Sequence, residues 1–129
     1  MKFTFDKTLT GTGFDDAVLK VTEELKKEGF GVLTEIDVKD TLKKKIDAEI
    51  SNYKILGACN PAFAHKAILA ENKIGVFLPC NVVVRETDNG DIEISAVDPV
   101  ASMSAVENER LGSLANEVRD KLMKVIEQI

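Results

Sequence analysis

"NVVVRETDNGDIEISAVDP", residues 81–99, decides the fold of this chain. Asp88-Asn89-Gly90 stands between two runs rich in Val and Ile, and Asn-Gly supplies the positive backbone angles of a tight hairpin turn. The two runs must then pair antiparallel, which argues for an α+β architecture over a doubly wound parallel sheet. Ile92 to Val97 reads as a fifth strand, and the run before the turn reads as a fourth, from Ile74 to Arg85. In that fourth strand Val76, Leu78, Cys80, Val82 and Val84 share one face. Phe77, Pro79, Asn81 and Val83 share the other. Both faces are largely apolar, so both are expected to be covered. Pro79 implies an edge or a bulge, because proline cannot donate to a ladder. Asn81 needs a partner in such surroundings.

Upstream, Phe3 and Phe5 alternate with polar residues and predict a first strand over about residues 2 to 9. Phe14, Ala17, Val18, Val21 and Leu25 follow the spacing of an amphipathic helix. Thr12 with Asp15 is its expected N-terminal cap pair and Gly29 its stop. Phe30, Val32, Thr34, Ile36 and Val38 are expected on one face of a second strand. A short polar helix over Asp37 to Lys45 is acidic at its start and basic at its end, as the helix dipole favours. Tyr53 to Cys59 reads as a third strand and Pro61 to Ala70 as a short helix. Asn60-Pro61 is a helix start, since asparagine is a preferred cap and proline is favoured next.

Downstream of Asp98-Pro99, Leu111, Leu114, Ala115, Val118, Leu122, Val125, Ile126 and Ile129 mark one face of a long helix. Ser104 with Glu107 could box its start, and Asn108 is a rival. Gly112 within it is expected to mark a close approach to a strand, because glycine costs about 1 kcal/mol there against alanine.

A chain of 129 residues reads as a single domain over 1–129. Hydrophobic residues at 44% and charged ones at 30% are ordinary for a soluble globular protein. The net charge of −5 and the scarcity of aromatics disfavour nucleic acid as a partner. Lys43-Lys44-Lys45 is the only basic run and reads as a solvated helix end. No leader-like or membrane-spanning apolar run is present, so no membrane partner and a cytoplasmic location are expected. In that reducing compartment Cys59 and Cys80 are expected to be free thiols.

Five residues stand out as candidate ligand-binding positions: Cys59, Asn60, His65, Cys80 and Asn81. Gly11-Thr12-Gly13 is not a nucleotide loop, since Asp16 replaces the third glycine of the fingerprint and two carboxylates there repel phosphate. Cysteine or serine chemistry would need His65, the only histidine, as base. A helical His65 is more often a surface residue. Cys59, His65 and Cys80 match no common zinc spacing, so no metal is expected. Cys80 reads most simply as a small core residue. With the third and fourth strands paired around the 61–70 helix, Cys80 is expected about 20 Å from Cys59, at roughly 3.3 Å per residue. A disulfide needs Cα atoms within about 7 Å, so the pair should be reduced.

The segments "LGACNPAFAHKAIL" (Leu56 to Leu69) and "LPCNVVV" (Leu78 to Val84), the hairpin, Asp98-Pro99 and the long last helix resemble the bacterial and archaeal family called domain of unknown function 302. The resemblance covers essentially the whole chain. It implies a curved antiparallel sheet in β-α-β(4)-α order, similar to the TATA-binding-protein fold, with short inserted helices. It implies neither DNA binding nor a reaction or catalytic residue. No cofactor is expected. The motif matches are Cys59, Asn60, Pro61, His65, Pro79, Cys80 and Asn81.

Three functions from different classes follow. The leading expectation is a binding domain for a small molecule, not an enzyme, with its pocket beside the two Cys-Asn segments. A thiol-dependent redox or sulfur-transfer protein using Cys80 or Cys59 is the alternative. A structural dimerisation module is the third, because one long helix cannot cover both faces of the fourth strand, so a homodimer is expected.

Overall fold

A computed structural model describes residues 2–129. One antiparallel sheet runs through it: β1 (Thr4–Leu9), β2 (Gly31–Asp37), β3 (Tyr53–Cys59), β4 (Cys80–Glu86) and β5 (Ile92–Val97), in spatial order β1-β5-β4-β3-β2. The helices are α1 (Phe14–Lys27), α2 (Val38–Ile46), α3 (Pro61–Ala70), the four-residue α4 (Pro99–Ser102) and α5 (Glu109–Gln128). The architecture is α+β with a curved sheet, and β3, α3 and β5 take the boundaries their residues predict.

α1 joins the two edge strands, so it must cross the whole sheet. Ala17, Val18, Val21 and Leu25 face the core. Its first turn departs from expectation: Gly13, not Thr12, is the cap residue, and no side chain caps it. Its end is as expected. Gly29 takes a φ of +85°, its N–H donates to the Lys26 carbonyl, and the Phe30 N–H donates to the Leu25 carbonyl. That double bond pattern needs a left-handed residue, which glycine adopts without strain.

The core lies between one sheet face and α1 with α5. Leu56, Val82, Val84, Ile94 and Ala96 from the strands meet Val21 and Leu25 of α1 and Leu122 and Val125 of α5. A smaller cluster gathers Ala67 of α3, Ile74 and Leu111 of α5, with Leu78, Met103 and Leu114 packed on it.

Several expectations are corrected. Residues 74–79 are not strand: Ile74–Phe77 form a 3₁₀ turn and β4 begins at Cys80. A short apolar run fits a buried strand and a buried turn equally well, and Ile74 belongs to the second cluster. β2 carries a bulge at Leu33, where the register passes from Val32↔Ala58 to Thr34↔Gly57. The extra residue reverses the pleat, so Thr34 and Ile36 leave the face that Val32 keeps. α5 starts at Asn108, whose side chain accepts from the Arg110 N–H and donates to the Ala70 carbonyl at 2.9 Å. That second bond, which Ser104 does not make, fastens α5 to the end of α3. Gly112 meets no close approach; a Cβ there would find open space. The constrained glycine is Gly57, where a Cβ would collide with Thr34 Oγ1 and stand 2.8 Å from Pro79 Cγ.

Candidate functional site

Asn60 organises the corner where β3 becomes α3. Its Oδ1 accepts from the Phe63 N–H and its Nδ2 donates to the Glu28 carbonyl at the end of α1. Pro61 follows at the first helical position. The cap predicted from sequence is present, and it also ties α3 to α1.

Behind that corner the two core clusters do not quite close. Between them lies a cavity of about 40 Å³, lined among others by Ala58, Cys59, Asn60, Phe63, Ala67, Leu78, Cys80, Met103, Leu111 and Ala115. By the same measure one water needs about 10–15 Å³, so there is room for roughly three water-sized groups. The named walls are apolar except for Asn60 and the two cysteines; in the pleat Cys59 follows Ala58, so its side chain leaves the face that Ala58 and Cys80 share.

The structure brings Cys59, Asn60 and Cys80 together and places His65 and Asn81 elsewhere. His65 is exposed on the outer side of α3. Asn81 is exposed too, on the sheet face opposite Cys80 and Val82, and pairs with Gly57 in the register. It therefore needs no buried partner. The 20 Å separation of the thiols is also overturned. Cys80 stands opposite Ala58, one residue from Cys59, because residues 74–79 coil instead of extending. The two sulfurs are nevertheless not bonded to each other.

Cys80 is 7% exposed. Burial, and next the negative charge that Cys59 can carry, push its thiol pKa up from 9.0 to about 11. A thiol that holds its proton so firmly is a poor nucleophile at neutral pH. Cys59 is half-buried and sits at the rim, immediately before the N-terminus of α3.

Sequence reasoning missed most of the walls. Met103, Leu111 and Leu114 come from the stretch after α4 and the start of α5, far from the Cys-Asn segments in sequence. Helical spacing marked Leu111 and Leu114 as buried, but nothing local said against what.

Among the described residues no helix is long and apolar enough to cross a membrane. The family profile described as Domain of unknown function DUF302 matches residues 5–129. The chain is also similar to a solved structure, the uncharacterized conserved protein DUF302 from Bacillus stearothermophilus. The TM-score is 0.91 and the identity 26%, over 99% of this chain and 98% of that one. No curated protein matches.

Proposed function

The chain belongs to the Domain of unknown function DUF302 family, and from that premise we propose that it is a binding domain whose site is the cavity beside the two Cys-Asn segments. The observation that carries this reading is the cavity itself, an apolar gap at the seam of two otherwise closed clusters. Its walls offer no charge, so the occupant is small and apolar or soft. Ordinary organic ligand pockets measure about 300 Å³ or more, so a larger ligand would have to part α3 from α5. The proposal includes a cytoplasmic setting, which keeps both thiols reduced. The raised pKa of Cys80 weighs against it as the nucleophile of a thiol enzyme.

Xenon tests the reading, as an apolar probe the size of the gap. Under xenon pressure, methyl resonances of Ala67, Leu111 and Ala115 are expected to shift, and Ala115→Leu, which fills the gap, is expected to remove the shifts. Wild-type spectra unchanged by xenon, or shifts that persist in Ala115→Leu, would rule the site out.

A second observation favours self-association. Ile36, Ile55 and Val83 stand in one register row on the face that α1 and α5 leave free, and Ile36 is 47% exposed. Two-fold pairing is the commonest way to bury such a row. Light scattering at micromolar concentration is expected to give twice the chain mass of 14.1 kDa, and Ile55→Asp to return it to the single value. A monomer mass for the unaltered chain would end this reading.

A further inference from the structure

The shape and chemistry of the cavity together narrow its occupant. Leu111, Leu114, Ala115 and Val118 line it, a span of two turns of α5, about 10 Å at roughly 1.5 Å per residue. Phe63 and Ala67, one turn apart on α3, line it as well. A volume of about 40 Å³ drawn out over that length holds roughly three water-sized groups in single file. A ring does not fit, since an apolar cavity that takes benzene measures about 150 Å³. Water is a poor filling, because a buried molecule needs about two to four polar partners. The walls do not supply them. Asn60 already accepts from the Phe63 N–H and donates to the Glu28 carbonyl, and a thiol such as Cys80 bonds only weakly. No charged side chain lines the gap, so an ionic head group would have to stay outside it.

We infer that this seam between α3 and α5 takes one unbranched alkyl chain, threaded end-on with its polar head left outside. Three alanines on its walls, Ala64, Ala67 and Ala115, leave the room that larger side chains would fill. Asn60 and Asn108 fasten α3 at its two ends, to the Glu28 carbonyl and from the Ala70 carbonyl. The middle of α3 rests on apolar contacts through Phe63 and Ala67, which a methylene chain replaces in kind. Recognition of this sort comes from area removed from water. Each methylene that enters tightens binding about fourfold, the equivalent of about 0.8 kcal/mol per buried CH₂.

This inference rests on the cavity being the binding site, and its test separates the two. Straight-chain primary alcohols from ethanol to octanol are titrated into the protein and followed at the methyl resonances of Ala67, Leu111 and Ala115. Cyclohexanol is the ring control. The expected result is saturable shifts at those methyls, with affinity rising about fourfold per added methylene and no shift with cyclohexanol. A rise that stops where the chain matches the seam identifies a short free chain as the occupant. One that continues to octanol identifies the tail of a longer lipid. Ala115→Leu is expected to weaken hexanol binding at least about tenfold, because its added carbons occupy the path of the chain. Leu19→Ala, on the exposed side of α1, is expected to change nothing. Circular dichroism checks that Ala115→Leu folds, and the ring control in the unaltered chain decides the matter even if it does not. No alcohol binding, an affinity flat in chain length, or cyclohexanol bound as tightly as hexanol overturns the inference. Xenon binding without alcohol binding would sink this inference alone, and failure of both probes would sink the cavity reading as well.

Discussion

Leu122→Ala is expected to remove about 3–5 kcal/mol of folding free energy, the range for a fully buried leucine whose surroundings cannot collapse into the gap. Leu122 is 0% exposed. It lies midway along the buried stripe of α5, with Val118 and Val125 on the same side and strand residues of the central core below. Two neighbouring structures hold that helix in place and prevent relaxation. At its start Asn108 bonds the end of α3, and near its end the Lys7 ammonium donates to the Glu127 carbonyl. Domain stabilities are only about 5–15 kcal/mol, so a large share of the total is at stake. Leu19→Ala on α1, at a position 60% exposed, is the control, expected within about 0.5 kcal/mol of wild type. Urea unfolding of the two variants decides it. A loss below about 1 kcal/mol for Leu122→Ala would mean that α5 does not seal the core as described.

That contrast also shows what was legible in the sequence. Helical spacing alone separates Leu122 from Leu19, and a turn dipeptide alone sets the sheet antiparallel, because both rest on contacts within a few residues. The bulge at Leu33 left no such trace. It reverses the pleat of β2 through a register shift against β3, and that pairing is non-local. The residues before β4 failed for a related reason. "IGVFLP" is an apolar run that fits a strand covered on both faces, yet Ile74 is claimed by α3 and α5, and the chain coils to deliver it. The spacing of the two cysteines depends on the same segment: with 74–79 extended they would fall far apart; with it coiled, Cys80 lands one residue from Cys59's cross-strand position. Asn60 was legible as a cap because capping is local, but its bond to the Glu28 carbonyl was not. The site was thus half visible: its floor and rim in the Cys-Asn segments, its far wall only in the fold.

Cys80 gives the last expected result, which concerns the protein at alkaline pH. Its thiol is held at about 11 against 9.0 for a free group, by burial first and the Cys59 charge second. The folded value lies above the unfolded one, so the native state keeps the proton longer. The associated stability is present in full below the unfolded value and is lost as pH climbs through the folded one. Two pH units at about 1.4 kcal/mol each give a loss of up to roughly 3 kcal/mol. Other groups titrate in the same range, so the quantity to follow is the difference in unfolding free energy between wild type and Cys80→Ala. That difference is expected to shift against the wild type by up to about 3 kcal/mol as pH rises from 8.5 to 11.5, in proportion to the two-unit offset. Alkylation offers an independent reading of the same physics. At pH 7 a group titrating near 11 presents about a hundredfold less thiolate than one near 9.0, before access is considered. Mass spectrometry after iodoacetamide should therefore find Cys80 labelled at least that much more slowly than an unstructured peptide thiol, and rapidly once urea is added. Native Cys80 labelling within tenfold of the peptide rate, together with a flat pH difference, would show a thiol open to water, contrary to the burial of Cys80 in the structure.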